Sequence, residues 1–161
     1  MKVAIYYESK YGNGKAIVTR LSEMLTTHGI QVEVQHIDEA EPKEMDQADL
    51  YVFSSPTRLG KLIGSMKRFL RKASLPNGAR YALIATHLAL KPDRKTAEMP
   101  GPDEVAKLEQ TLAMMEDILN EKGARKVASL KLHVSQITQL SLENGWEQKV
   151  DDFAVELRSK M

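Results

Sequence analysis

A glycine-containing segment near the start of the chain has the side chains and backbone suited to binding phosphate. It reads Ser9-Lys10-Tyr11-Gly12-Asn13-Gly14-Lys15. Glycine lets the backbone turn tightly and approach a ligand closely. The segment leads into a predicted helix, whose first N–H groups carry partial positive charge and attract anions. Hydroxyl, amide and lysine groups add hydrogen-bond donors, so this segment is a candidate phosphate site.

Two common phosphate-binding motifs do not match this segment. The pattern Gly-x-x-x-x-Gly-Lys-Ser/Thr is absent, and Gly12-x-Gly14 has no third glycine at the spacing of dinucleotide-binding folds. For the glycines alone, a strand-to-helix turn that binds no ligand remains the alternative interpretation.

Strand and helix patterns that would position this segment alternate five times along the chain. The strand patterns are Val3–Tyr7, the residues around Val32 and Val34, Asp49–Ser54, Tyr81–Thr86 and Val127–Val134. Between them, apolar residues recur at helical spacing, including one long stripe from Val105 to Leu119. Such alternation favours an α/β fold, in which a parallel sheet is covered by helices on both faces.

The predicted sheet places three connections at one edge. We expect a single domain over residues 1–161. In open parallel sheets, ligands bind beyond the carboxyl ends of the strands. The connections after the first, third and fourth strands are Glu8–Lys15, Ser55–Lys61 and His87–Pro102. Because the last of these is long and has no periodicity, we expect it to be either a functional lid or a disordered excursion.

The first connection resembles the phosphate loop of the flavodoxins. That family carries Ser/Thr-x-Thr/Tyr-Gly-Asn-Thr here, around the phosphate of flavin mononucleotide (FMN), and Ser9, Tyr11, Gly12 and Asn13 match it. Gly14 stands where the family usually has threonine. The resemblance thus predicts that Gly14→Thr restores one hydrogen bond to FMN, about 0.5–1.5 kcal/mol.

The second connection is similar to another flavodoxin signature. The family has Gly/Ser-Ser-Pro-Thr at the end of its third strand and then a glycine-containing loop against the flavin, and Ser55, Pro56, Thr57 and Gly60 match. Thr57 is expected to donate a hydrogen bond to phosphate or ribityl oxygens. Arg58 and Leu59 lie where many flavodoxins stack an aromatic ring. Leu59 can pack on the flavin face, and Arg58 can stack on the flavin or attract its reduced, anionic form.

The third connection begins Thr86-His87-Leu88, and some flavodoxin-like proteins carry Thr-His here. The resemblance implies that backbone N–H groups face the flavin, and that His87 donates to a flavin oxygen or supplies a proton. A histidine exposed at the surface is the alternative. The resemblance as a whole implies a three-layer, doubly wound, five-stranded parallel sheet of order 2-1-3-4-5. It also implies the cofactor set Ser9, Lys10, Tyr11, Gly12, Asn13, Gly14, Ser55, Pro56, Thr57, Arg58, Leu59, Gly60, Thr86, His87 and Leu88.

The amino-acid composition excludes several kinds of site and partner. The chain has no cysteine, which excludes disulfides, thiolate catalysis and cysteine-ligated iron–sulfur sites. The net charge is only +1, so neither a nucleic-acid nor a membrane partner is expected. The first strand pattern starts at the N-terminus, which leaves no room for a signal peptide, and a cytoplasmic location is expected.

Three functions fit these observations. The first is FMN-dependent electron transfer to a redox partner protein, which needs no catalytic side chain because the flavin carries the chemistry. The second is a flavin-dependent oxidoreductase, such as a quinone reductase or a protoporphyrinogen-dehydrogenase-like protein, that uses His87 or Arg58. The third is a flavodoxin-fold protein that has lost flavin binding. Fold alone does not decide between them.

Overall fold

The computed structural model describes the whole chain, residues 1–161. Its strands are β1 (Lys2–Tyr7), β2 (Gln31–His36), β3 (Leu50–Arg58), β4 (Lys61–Leu62), β5 (Arg80–Leu88) and β6 (Arg125–Val134). Its helices are α1 (Asn13–Thr27), α2 (Gly64–Lys72), α3 (Pro102–Leu108), α4 (Thr111–Glu121) and α5 (Trp146–Lys160). Two short 3₁₀ turns, Ile37–Glu39 and Pro42–Glu44, follow β2.

The five long strands form one parallel sheet in the order β2-β1-β3-β5-β6. Counted without β4, this is the predicted order 2-1-3-4-5, which is confirmed. β4 pairs antiparallel with the end of β3 and lies outside this path. The central strands are buried on both faces, so their sequences are nearly continuous apolar runs.

Two hydrophobic clusters cover the two faces of the sheet. One contains Val3 and Ile5 of β1, together with the buried residues of α1 and α5. The other contains Ala4 and Tyr6 of β1, together with buried residues of α2 and α4. Successive side chains of a strand point to opposite faces, so β1, β3 and β5 each contribute to both clusters. The result is the predicted three-layer arrangement.

Two local predictions differ from the structure. The predicted loop Ser55–Lys61 is largely strand, since β3 continues to Arg58 and turns at Leu59–Gly60 into β4. The predicted single helix from Val105 to Leu119 is broken between α3 and α4 at Glu109–Gln110. The backbone N–H of Gln110 donates to the carbonyl oxygen of Gly60 at 2.8 Å, so the break packs the helices against the hairpin.

Residues 89–101 form no helix or strand and are mostly exposed. Asp93 Oδ1 accepts hydrogen bonds from the backbone N–H groups of Lys95 and Thr96, which closes a local turn. None of the helices of the chain combines the length and the hydropathy needed to cross a membrane.

Candidate functional site

A cavity of about 760 Å³ lies at the carboxyl ends of β1, β3 and β5. Among its lining residues are all the predicted site residues except Gly12, Ser55 and Gly60. Ser55 is buried within β3, whereas Gly12 and Gly60 shape the backbone beside the cavity. The predicted connections therefore converge on one site, as the parallel sheet requires.

The N-terminus of α1 supplies the anion-binding end of the cavity. Gly12 precedes the helix with φ +98°, a conformation that favours glycine, and no side chain caps the first-turn N–H groups. The hydroxyl oxygen of Ser9 is buried and has no hydrogen-bond partner in the protein. A buried hydroxyl without a partner is costly, so this donor, set beside the free helix amides, fits an oxyanion.

Gly14 sits close against the preceding strand end. A Cβ atom added there would lie 2.9 Å from the carbonyl oxygen of Glu8 and 3.3 Å from Cβ of Ser9. Backbone cannot yield as a flexible side chain can, so a larger residue forces the loop apart. The structure therefore argues against the expectation that Gly14→Thr tightens FMN binding, because the first turn of this helix needs glycine for its packing.

The Asn13 side chain has a structural task instead of the ligand contact that its motif position suggests. Its Nδ2 donates to the carbonyl oxygen of Gln139, and its Oδ1 accepts from the N–H of Ser141, both at 2.9 Å. These bonds hold the connection after β6 against α1. That connection contributes Ile137 and Thr138 to the cavity wall.

Glu8 also lines the cavity, but its carboxylate is already engaged. Oε1 lies 3.1 Å from Nε2 of His36, and Oε2 accepts a hydrogen bond from the Ser65 hydroxyl at 3.1 Å. Glu8 thereby ties the end of β1 to β2 and to the start of α2, which fixes the wall between the two ends of the cavity.

The β3–β4 hairpin forms the opposite, exposed end of the cavity. Arg58 pairs with Lys61 across the hairpin, and the turn residues Leu59 and Gly60 have φ of +51° and +79°. Two consecutive positive φ values are typical of a type I′ turn, whose first position favours asparagine or glycine. Leu59 is 91% exposed, and Arg58 is exposed and makes no ion pair. Position 60 also has no room for a side chain, because a Cβ there would lie 2.5 Å from the carbonyl oxygen of Lys107.

His87 lines the cavity but is not a surface histidine. It is 2% exposed, and its Nδ1 lies 2.8 Å from the Thr57 hydroxyl, which in turn lies 2.6 Å from the Thr111 hydroxyl. Burial lowers the pKa of His87 to about 4, with nearby Glu109 opposing the shift. The structure thus corrects one expectation, because the Thr57 hydroxyl bonds protein partners, and it excludes the alternative of a surface histidine at position 87. Nε2 of His87 is buried without a hydrogen-bond partner, so donation from His87 to a flavin oxygen stays a prediction.

An ion-pair network continues behind His87. The Glu109 side chain is only 4% exposed, and its two oxygens contact Nζ of Lys131 at 2.8 Å and Nε2 of His133 at 2.7 Å. Burial alone would raise the pKa of Glu109, but these hydrogen bonds outweigh it and hold that pKa below its usual value. The rings of His87 and His133 are 6.1 Å apart, so the network adjoins the support of the site.

Several residues of the cavity wall are not among the predicted site residues, including Glu8, Ser65, Arg68 and Ile137. Ile137 follows β6, and the same rule about carboxyl ends of strands would have included that connection. Ser65 and Arg68 reach the cavity because β4 reverses the chain before α2, and a strand of two residues has no recognisable sequence pattern.

Comparisons with known proteins agree with this geometry. The family model described as "Flavodoxin domain" matches residues 4–140. A flavodoxin of Aquifex aeolicus is 33% identical over 69 residues, a match that spans 42% of this chain and 37% of that protein. Among solved structures, oxidised Flavodoxin 1 from Bacillus cereus superposes with a TM-score of 0.73 at 19% identity, covering 100% of this chain and 99% of that one. Rubredoxin oxygen:oxidoreductase from Desulfovibrio gigas superposes with a TM-score of 0.70 at 13% identity, and the match covers 99% of this chain and 36% of that one. The chain belongs to the flavodoxin family, whose members bind FMN and transfer electrons.

Proposed function

We propose that this protein binds one FMN in the cavity and serves as an electron carrier for a redox partner protein. The observation that carries the proposal is the buried Ser9 hydroxyl without a partner, set beside the uncapped N-terminus of α1. Together they offer neutral hydrogen-bond donors and a partial positive charge to a single terminal phosphate.

The remaining contacts follow from the elements around the cavity. Ser9 and the backbone of residues 10–14 would hold the phosphate, while Leu59 would cover the ring and Arg58 would lie beside it. Thr86 and His87 are buried strand residues, so they would act mainly through the backbone at the end of β5, and Nε2 of His87 is a further polar atom without a protein partner. FMN, when bound, supplies the redox chemistry, and the protein orients it and tunes its charge environment.

Two observations favour a carrier over a stand-alone oxidoreductase. Burial lowers the pKa of His87 to about 4, which leaves its imidazole uncharged near neutral pH, and the Glu8 carboxylate is bonded to His36 and Ser65. An enzyme acting on a quinone by acid–base assistance needs such a group within reach of the substrate.

Cofactor release tests the proposal directly. The purified protein should show flavin absorption, and heat should release FMN at about one equivalent per chain when compared with standards. Recovery of FAD alone, or failure of the flavin-free protein to bind added FMN, would contradict it. Ser9→Ala should weaken FMN binding by about 1.5–3 kcal/mol, the value of a hydrogen bond to a charged group. Ser159→Ala, near the far end of α5, is the matched control.

A further inference from the structure

Basic residues are concentrated in one stretch of this nearly neutral chain. The whole sequence has 23 Lys and Arg against 22 Asp and Glu, yet residues 50–92 contain no Asp or Glu. The basic residues in that stretch are Arg58, Lys61, Lys67, Arg68, Arg71, Lys72, Arg80 and Lys91.

Most of these cations lie on two adjoining elements, the β3–β4 hairpin and α2. We define the hairpin–helix patch as Arg58, Leu59, Lys61, Lys67, Arg68 and Arg71. No cation of the patch lies within ion-pair distance of a carboxylate. Lys72 is left out, because it shares a shallow groove with Glu41 and Glu44.

The patch places like charges next to each other. Arg58 and Lys61 are direct cross-strand partners, an arrangement that destabilises a β-ladder when both charges have the same sign. On α2, Arg71 follows Lys67 by four residues and Arg68 by three, which makes Arg71 a neighbour of both on the helix surface. The fold gains nothing from this repulsion, whereas an anionic partner relieves it.

Leu59 stands at the apex of the same patch. It is 91% exposed and has the left-handed φ of +51°, which side chains with a Cβ rarely adopt. An exposed apolar residue in a strained conformation, with cations in the same patch, is typical of a contact point with an apolar centre and a charged rim. Arg58, Leu59 and Arg68 also line the cavity. A partner that covers the patch therefore approaches the end of the cavity where the flavin ring is proposed to lie.

We infer that the hairpin–helix patch is the docking surface for the redox partner, and that this partner presents an acidic surface around an apolar spot that receives Leu59. The inference rests on the proposed function, since it names the partner chemistry of the same site. The patch has no exposed aromatic side chain on which nucleic-acid bases could stack, which favours a protein surface.

The test uses one haem protein in two charge states. Cytochrome c is cationic, and the same cytochrome with its lysines succinylated is anionic. Stopped-flow spectroscopy would follow electron transfer from the FMN-loaded, reduced protein to each form. With the anionic form, the second-order rate constant should fall about tenfold between about 10 mM and 200 mM salt, whereas with the cationic form it should not fall.

Charge reversal then locates the surface. Lys61→Glu combined with Arg71→Glu changes two exposed residues that do not line the cavity. This double variant should lower the rate constant of electron transfer to the anionic cytochrome at least about threefold at low salt. Arg125→Glu combined with Arg158→Glu makes the same change in net charge at two cations that form no ion pair. Arg125 begins β6 and Arg158 lies on α5, which covers the other face of the sheet from α2, so this variant should have a smaller effect. FMN content should stay unchanged in both variants.

The outcomes separate docking from flavin binding. Equal effects of the two double variants, or a faster reaction with the cationic cytochrome at low salt, would overturn the docking surface. If no FMN binds, the proposed function fails, and NMR line broadening of the Lys61 and Arg71 amides by the anionic cytochrome still tests docking. Binding of phosphatidylglycerol vesicles through Lys61 and Arg71, with no broadening by the cytochrome, would assign the patch to a lipid surface and overturn the inference.

Discussion

The two ends of the cavity are built on different principles. The phosphate end, from Ser9 to Gly14, is closely packed, follows the family motif and has donors already oriented by α1. The ring end, at Arg58 and Leu59, is exposed, carries unpaired positive charge and has a strained turn. The comparison indicates that cofactor affinity depends mainly on the first end, and that charge tuning and partner contact depend on the second.

The support beneath the ring end is also the part of the site that responds to pH. Its buried His87 bonds Thr57 and adjoins Glu109, Lys131 and His133, whereas the phosphate end relies on a hydroxyl and backbone amides that do not titrate near neutrality.

Acid should destabilise the protein through His87. Its pKa in the folded state is about 4, below the ordinary value near 6.5, so the unfolded chain takes up a proton first as pH falls. The stability present above pH ~6.5 is therefore lost as pH falls towards 4, by at most about 3 kcal/mol. Urea unfolding of flavin-free protein across this range measures it. His87→Gln should make the free energy of unfolding less dependent on pH. His28 is exposed, so His28→Gln should leave the pH dependence as in the wild type. Parallel pH profiles for wild type and His87→Gln would refute this role.

Gly14→Thr should weaken FMN binding although it restores the family residue. The new Cβ lies 2.9 Å from the Glu8 carbonyl, and such overpacking costs typically about 1–3 kcal/mol. Fluorescence titration of flavin-free protein gives the affinity. Gly101→Thr is the matched control, since a Cβ there meets nothing within 4 Å. Tighter binding in Gly14→Thr would mean that the loop relaxes and that the missing hydroxyl limits affinity.

Leu59→Asn should raise stability and lower FMN affinity together. Asparagine adopts the left-handed conformation more readily, so relief of strain should add up to about 1 kcal/mol to the free energy of unfolding. Loss of the apolar contact should weaken binding. Ala97→Asn offers a control, because Ala97 also has a positive φ of 58° but does not line the cavity. It should gain stability with no change in affinity, and an unchanged affinity in Leu59→Asn would exclude a flavin contact.

The sequence was sufficient to predict the elements and the phosphate end, but not the direction of the ring-end side chains. Gly12 and Ser9 could be placed because a strand, a glycine turn and a helix leave few alternatives at that edge. Thr57 and His87 were assigned to loops, whereas β3 and β5 continue through them. Once a strand includes a residue, period-two alternation fixes its face. His87 then lies on the same face of β5 as Tyr81 and Leu83, which is the face that α2 and α4 cover.

The tertiary contacts of Asn13 and Glu109 had no local signal at all. Asn13 bonds residues more than 120 positions away, and Glu109 breaks a helical stripe to reach Lys131 and His133 on β6. The apolar spacing from Val105 to Leu119 is compatible with one helix. The docking of the break on the β3–β4 hairpin overrides that local preference.

The smallest expected effect concerns Arg58 and the flavin potential. Arg58 is exposed, lines the cavity and has no ion-pair partner, so its charge is free to act on a reduced, anionic flavin. At about 4–6 Å with an effective dielectric constant near 20, the attraction is about 3–4 kcal/mol before screening, and solvent at this exposed position reduces it considerably. Since 59 mV corresponds to a tenfold change for one electron, Arg58→Ala should lower the potential of the final one-electron reduction by some tens of millivolts.

Salt and a charge-preserving variant distinguish this effect from a change in packing. The Arg58→Ala shift should be larger at low salt than at high salt, because exposed charges are screened beyond about one Debye length. Arg58→Lys should keep most of the wild-type potential, and the affinity for oxidised FMN should change little in either variant, because the phosphate is held from Ser9 to Gly14. Potentiometric titration of the three proteins at two salt concentrations gives the values. Equal potentials in wild type and Arg58→Ala would show that charge at the ring end does not reach the flavin. Only the cations on the outer part of the patch would then retain a role, in partner docking.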